Sequence, residues 1–292
     1  SGTFQDALGP DAELRPGAFG AGPDAAIALF SGAIDLAFLG PSPTINAFAR
    51  SDGGAVRIVA GATSGGASLV VKPEIDEPAD LRGATIASPQ LGNTQDVALR
   101  AWLRDQGLGT DTAGGGDVSI RPQSNADALA GFLDGTIEGA WAPEPWATRL
   151  RLEGDGVVLV DERDLWPRGR FVTTHLVART EFLEEHPDLV RKVIEGLVDA
   201  IDEIDRDPER ARRAVNDGLE KMTTKRLPAE TLDAAWGQLT FTWDPIAPSL
   251  GAARDHAVSV GLLEPTDLDG IYDLSLLNAV LAERGRRGVD DS

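Results

Sequence analysis

Apolar and polar positions along the chain switch between two periods, and the switches outline a largely alternating order of helices and strands. Pro23 to Ser31 carries apolar residues at helical spacing and stops at Gly32, after which Ile34 to Leu39 forms a short apolar run expected as a buried strand. Ser42-Pro43 opens a helix from Thr44 to Ala49, with proline where a helix start tolerates it. Leu14 to Phe19 reads as a weak strand, and Val56 to Ala60 and Ser68 to Lys72 as two further strands. Thr85 to Ala87, Val118 to Arg121 after the Gly114-Gly115-Gly116 linker, Val157 to Val160 and Phe171 to Ala178 continue the strand series. Between them, Gln95 to Gln106 sets Leu99, Trp102 and Leu103 on one helical face, and Asn125 is the expected cap of a helix running to Leu133. From Glu181 the pattern is mostly helical: Pro187 to Asp205, Pro208 to Lys221, Ala229 to Leu239 and Leu274 to Arg284.

One pattern occurs twice, about a hundred residues apart. Leu29-Phe30-Ser31-Gly32-Ala33-Ile34-Asp35-Leu36-Ala37-Phe38-Leu39-Gly40-Pro41-Ser42-Pro43 and Phe132-Leu133-Asp134-Gly135-Thr136-Ile137-Glu138-Gly139-Ala140-Trp141-Ala142-Pro143-Glu144-Pro145 each read as a helix end, a buried strand and a stiff Pro-x-Pro loop. Loops at the carboxyl ends of strands are where open α/β sheets bind ligands. Two such units predict two lobes, each offering an equivalent loop to a solute held between them. With the segment from Lys72-Pro73 to Asp80 as one crossing and Phe171 to Ala178 as the return, residues 1–71 and 172–292 form a discontinuous first lobe. Residues 72–171 form the second. This is the topology of a type II periplasmic-binding-protein-like α/β fold, two lobes on a hinge with a helical C-terminal tail.

Bulk properties narrow the function. The 292 residues are 42% hydrophobic and 25% charged, ample for two cored lobes. A net charge of -20, from 27 Lys+Arg against 47 Asp+Glu, opposes binding to nucleic acid or an anionic membrane surface. With no cysteine there is no disulfide, thiolate nucleophile or Cys-based metal site. The three histidines, His175, His186 and His256, lack metal-ligand spacing, so no metal, cofactor or catalytic residue is expected. No apolar run reaches the roughly 18 residues of a spanning helix. The opening Ser1 to Gly9 reads as the last turns of a helix whose beginning is missing.

Read in order, Ser31-Gly32-Ala33-Ile34-Asp35 to Gly40-Pro41-Ser42-Pro43, Thr63-Ser64-Gly65, Asp80-Leu81-Arg82-Gly83, Gln90-Leu91-Gly92-Asn93-Thr94, Trp141-Ala142-Pro143-Glu144-Pro145-Trp146 and the helix from Phe182 to Glu203 resemble the substrate-binding proteins of ABC importers for nitrate, aliphatic sulfonates, taurine and bicarbonate. The resemblance covers essentially the whole chain and is nearest to the aliphatic sulfonate binders. It implies an extracytoplasmic receptor for a small oxyanion, periplasmic or tethered at a Gram-positive surface through a lipid anchor upstream of Ser1. It also implies a strand and a ligand-facing loop before the helix that ends near Leu8. The receptor is expected as a monomer that hands its solute to the permease subunits. The four Lys against 23 Arg suit a high-GC genome. The alternative is an enzyme resembling the pyrimidine-precursor synthase of thiamine biosynthesis, or a binding protein for a thiamine precursor. That synthase family relies on a cysteine-rich segment, which this chain lacks.

The candidate ligand contacts each have a plainer structural role beside the functional one. Ser42 lies between two prolines at a strand end, where its hydroxyl and free helix N–H groups suit an oxyanion, or where it merely caps. Thr63, Ser64 and Gly65 combine hydroxyls with close backbone approach, or make a turn. Leu91, Gly92, Asn93 and Thr94 lead into a long helix whose positive end suits an anion. Trp141, Glu144 and Trp146 offer aromatic walls beside one carboxylate, which would pair with an ammonium; core packing and capping compete. Thr173, in the return crossing, can supply a hydroxyl.

Overall fold

The computed structural model describes residues 2–291. Short runs of apolar and β-branched residues become the strands β1 (Leu36–Leu39), β2 (Val56–Gly65), β3 (Ala67–Val71), β4 (Thr85–Ser88), β5 (Ser119–Pro122), β6 (Gly139–Pro143), β7 (Val157–Asp161), β8 (Val172–Arg179) and β9 (Leu239–Phe241). They pair into two sheets. The first has the order β1-β8-β2-β9 and the second β5-β4-β6-β3-β7. Neighbours in the first sheet are antiparallel, whereas β4 lies parallel to both β5 and β6.

Each sheet is covered on both faces, which follows from strands that are apolar at successive positions. In the first sheet, Val59 packs with Ile194, Leu197 and Leu281, while its neighbour Ile58 packs with Leu29, Ile45, Phe48 and Leu250. Successive strand residues point to opposite faces, so both layers of helices are used. In the second sheet, Leu69 joins Ile86, Leu99, Trp102 and Leu103, and Val70 joins Phe132, Ala140 and Leu150.

The chain passes from the first sheet to the second at Gly65-Gly66, not at Lys72-Pro73. The residues Ala67–Val71 pair with β6 and β7 and thus belong to the second sheet. Both glycines have positive φ, 76° and 74°, and a side chain on Gly66 would overlap Leu239, so only glycine makes this crossing without strain. The return runs from β7 through Trp166 to Arg170 and enters β8 at Val172.

Three local expectations need correction, and one helix lies outside them all. Leu14 and Phe19 are exposed and their segment is in no strand, because no ladder partner lies beside it among the described residues. Ser124, not Asn125, caps the helix Asn125–Asp134 by accepting from Asp127 N–H at 3.2 Å. The helix expected to reach Leu239 stops at Trp236, and the next three residues become β9 against Thr63 to Gly65. The helix Ala247–Ser259 went unread because it starts on a proline turn and carries Gly251. Among the described residues, no helix is long and apolar enough to cross a membrane.

Candidate functional site

Gly40 ends β1 and starts the helix Pro41–Arg50, and Asn93 starts the helix Thr94–Asp105 of the second sheet. These two helix starts face each other. Ser42 N–H donates to the Thr94 hydroxyl at 3.4 Å, and a side chain on Gly40 would overlap that hydroxyl. The Ser42 hydroxyl is buried, 1% exposed, with no hydrogen-bond partner among the described residues. Two helix N-termini from opposite sheets and an unpartnered buried hydroxyl form an electropositive pole in an acidic chain.

The remaining walls come from the crossings. Thr173, at the start of β8, donates its hydroxyl to Gly65 O at 2.6 Å, and its carbonyl lies beside Gly40. Ser64 is buried on β2 opposite Val172, and Thr63 beside it is half-buried. Glu144 N–H donates to Gly66 O at 2.8 Å, which brings the second Pro-x-Pro loop to the same crossing. Ser42, Gly65, Thr94, Thr173 and Glu144 are thus gathered around one junction between the sheets.

The second-sheet loop is held from beneath. The buried Asp96 carboxylate accepts from Ser88 Oγ at 2.7 Å, Gly92 N–H at 3.0 Å and Arg100 Nε at 3.1 Å. Arg100 in turn donates to Asp111 O. Sequence reading missed this pair, although Asp and Arg four apart on a helix is a visible ion-pair spacing. It also missed Arg163, which binds Asp161 at 2.5 Å and Gln238 at 2.6 Å and so links the second sheet to the approach of β9. Ser249 was missed as well; its hydroxyl accepts from Val172 N–H at 3.0 Å.

Several candidates sit differently from the sequence reading. Trp141 is no cleft wall: it is fully buried, packs edge-on to Trp102, and donates to Glu162 Oε2 at 2.8 Å, because β6 is a central strand with both faces covered. Trp146 packs partly against the Phe132 cluster, with the Arg149 guanidinium 4.7 Å over its ring. Leu91 is 48% exposed on the loop surface. Asn93 caps its own helix, its side-chain oxygen accepting from Gln95 N–H at 3.1 Å. Glu144 Oε2 accepts from Thr148 N–H at 3.1 Å, and burial holds its carboxyl above the usual range.

Two buried titratable groups stand behind the junction. Burial pushes Glu162 up to about 7, opposed by its hydrogen bonds from Trp141 and Trp166. Burial pushes His175 down to about 4, opposed by the bond between Nε2 and Pro245 O at 3.2 Å.

Comparison with known proteins sets this geometry in context. The family described as NMT1-like matches residues 1–216. The chain is 32% identical over 200 residues to the taurine-binding periplasmic protein of Escherichia coli K12, covering 68% of this chain and 59% of that protein. Among solved structures, the alkanesulfonate-binding protein SsuA from Xanthomonas axonopodis pv. citri, bound to MOPS, superposes with a TM-score of 0.72 at 21% identity, covering 90% of this chain and 88% of SsuA. The periplasmic nitrate-binding protein NrtA from Synechocystis PCC 6803 gives 0.77 at 14% identity, covering 91% and 79%. The fold is that of periplasmic binding proteins. The chain spans about three fifths of the length of the curated relatives it matches first.

Proposed function

We propose, from the premise that the chain belongs to the NMT1-like family, that it is an extracytoplasmic receptor which closes two lobes around a small oxyanion and presents it to an ABC importer. Each sheet with its helices is one lobe. The observation that carries this reading is the meeting of two helix starts at Ser42 and Thr94, with the Ser42 hydroxyl buried and unpartnered. Backbone N–H groups at such ends are suited to a sulfonate, nitrate or carboxylate oxygen.

Aliphatic sulfonates, taurine among them, are the favoured solute class. Support comes from the taurine-binding relative and from the MOPS-bound SsuA neighbour, since MOPS carries a sulfonate. Ser42, Thr94 and the amide NH2 of Asn93 are the donors assigned to its oxygens. Thr173 and Ser64 line the first lobe's side, and Glu144 is the acceptor for an ammonium. The relatives named are binding proteins, which supports a receptor without turnover.

Calorimetry with taurine, ethanesulfonate, nitrate and bicarbonate, followed by analysis of the recovered solute, tests this. Saturable binding of at least one sulfonate with the solute recovered intact is expected. Chemical conversion, or no saturable binding to any of the four, overturns it.

A further inference from the structure

The lobes are joined at two crossings, Gly65-Gly66 and the return segment Trp166 to Arg170, and the Arg163 side chain lies against both. Its Cδ is 3.6 Å from the place a Cβ would take on Gly65, and its Cβ is 3.7 Å from the same place on Gly169.

The guanidinium is anchored in its own lobe. Nε donates to Asp161 Oδ1 and Oδ2 at 3.0 Å each and Nη2 donates to Oδ2 at 2.5 Å, which fixes the plane of the group. Asp161 ends β7. Nη2 also donates to Gln238 Oε1 in the first lobe, at 2.6 Å. Gln238 immediately precedes β9, whose Leu239 and Thr240 pair with Gly65 and Ser64 of β2. One side chain thus ties the end of β7 to the start of β9.

Side chains bridge the lobes at a second place. Gln90 Nε2, in the loop before Thr94, donates to Asp24 Oδ1 in the first turn of the helix Gly22–Phe30 at 3.4 Å. That bond is long and exposed, and Gln90 Oε1 is buried with no partner among the described residues. The Arg163 bond is short, charge-assisted and partly buried, so it is the stronger of the two.

A turn of one lobe that carries β9 about 1 Å further from β7 stretches the bond to Gln238 beyond hydrogen-bonding range. The Asp161 pair, internal to the second lobe, survives the same movement. The bridge therefore stabilises the arrangement in which Ser42 and Thr94 meet, and not one in which the lobes have turned apart. A contact that favours one of two arrangements shifts the affinity of every ligand of that arrangement by the same factor.

We propose, resting on the receptor reading above, that the Arg163–Gln238 bridge sets the balance between the joined and the parted arrangement of the lobes. It governs how tightly a solute is held between them, and not which solute is chosen.

Gln238→Met removes the acceptor at nearly constant length and leaves the Arg163–Asp161 pair in place; Arg163→Met removes the donor. By calorimetry, each is expected to weaken taurine and ethanesulfonate alike by about three- to tenfold, with the loss carried by the dissociation rate. Combined, the two should lose no more than either alone, whereas Gln238→Glu, which keeps an acceptor, should bind as the wild type does. A second readout needs no solute. The chain has no cysteine, so nitroxides on Ala130→Cys and Glu184→Cys, both exposed and one on each lobe, report the distance between lobes. Pulsed electron resonance is expected to show one main distance with Gln238 in place and a second population in Gln238→Met. Affinity lost for one solute only, additive losses, or identical distance distributions each overturn the proposal. No sulfonate binding by the wild-type chain would overturn the receptor reading instead, and the ligand-free distances would then decide the bridge by themselves.

Discussion

Ser42 of the first sheet's helix start donates its backbone N–H to the hydroxyl of Thr94, which opens the facing helix of the second sheet, at 3.4 Å. The bond satisfies one free helix N–H with a group from the other lobe while the serine hydroxyl stays unpartnered. A ligand donor and a capping residue are thereby separated by geometry. Ser42→Ala should weaken sulfonate binding by about 1 to 3 kcal/mol, as for a charge-assisted hydrogen bond, with little change in melting temperature. Calorimetry paired with thermal melts checks both halves; a melting shift without an affinity change refutes the assignment.

Asn93 has the converse signature. Its oxygen is occupied by Gln95 N–H, so Asn93→Ala should cost about 1 kcal/mol of stability through the lost cap, read by urea denaturation. An added loss of affinity is expected from the amide NH2, and Asn93→Asp, which keeps the capping oxygen, should lose affinity alone.

Glu144 distinguishes ligands that the fold cannot. Its half-buried carboxylate disfavours a bare anion nearby but suits an ammonium. Glu144→Gln should therefore weaken taurine by about 1 to 3 kcal/mol and leave ethanesulfonate unchanged. Equal responses to both ligands would reduce Glu144 to the acceptor of Thr148 N–H.

Stability should respond to pH through two opposed groups. Glu162 has its folded value raised from 4.5 to about 7, so its contribution is complete below pH 4.5 and is lost as pH rises through 7. His175 has its folded value lowered from 6.5 to about 4, so its contribution is present above pH 6.5 and is lost as pH falls through 4. Between pH 4.5 and 6.5 the two slopes cancel. In Glu162→Gln, stability should rise by about 3 kcal/mol from pH 4 to 6.5; in His175→Gln it should fall by a similar amount from pH 4.5 to 7. Denaturant titrations across this range are the measurement, and a variant that keeps the wild-type profile removes its residue from the account.

The buried Asp96–Arg100 pair should be the most sensitive point of the second lobe. Asp96→Asn leaves the Arg100 guanidinium buried without its counter-charge and loosens Gly92, at about 3 to 5 kcal/mol. Chemical denaturation gives the number, and a loss below 1 kcal/mol would mean that water replaces the carboxylate.

The sequence by itself determined what local periodicity and repetition can carry. Apolar runs such as Val56 to Ala60 and Ala140-Trp141-Ala142 mark central strands because burial on two faces demands it. The repeated Gly-bounded strand with its Pro-x-Pro loop foretold two comparable sheets and the family resemblance. Positions whose role depends on a distant partner were beyond it. Whether Trp141 walls a cleft or fills a core is set by Trp102 and Glu162, which lie 39 and 21 residues away along the chain. The crossing falls at Gly65-Gly66 because Ala67–Val71 finds β6 and β7, a long-range ladder that no local pattern encodes. The three residues of β9 are too few for a period, and only their pairing with Thr63 to Gly65 makes them a strand. Ser42 and Thr94 were both legible as helix starts; that they meet, and that the Ser42 hydroxyl is the one left free, was decided only when the two sheets packed together.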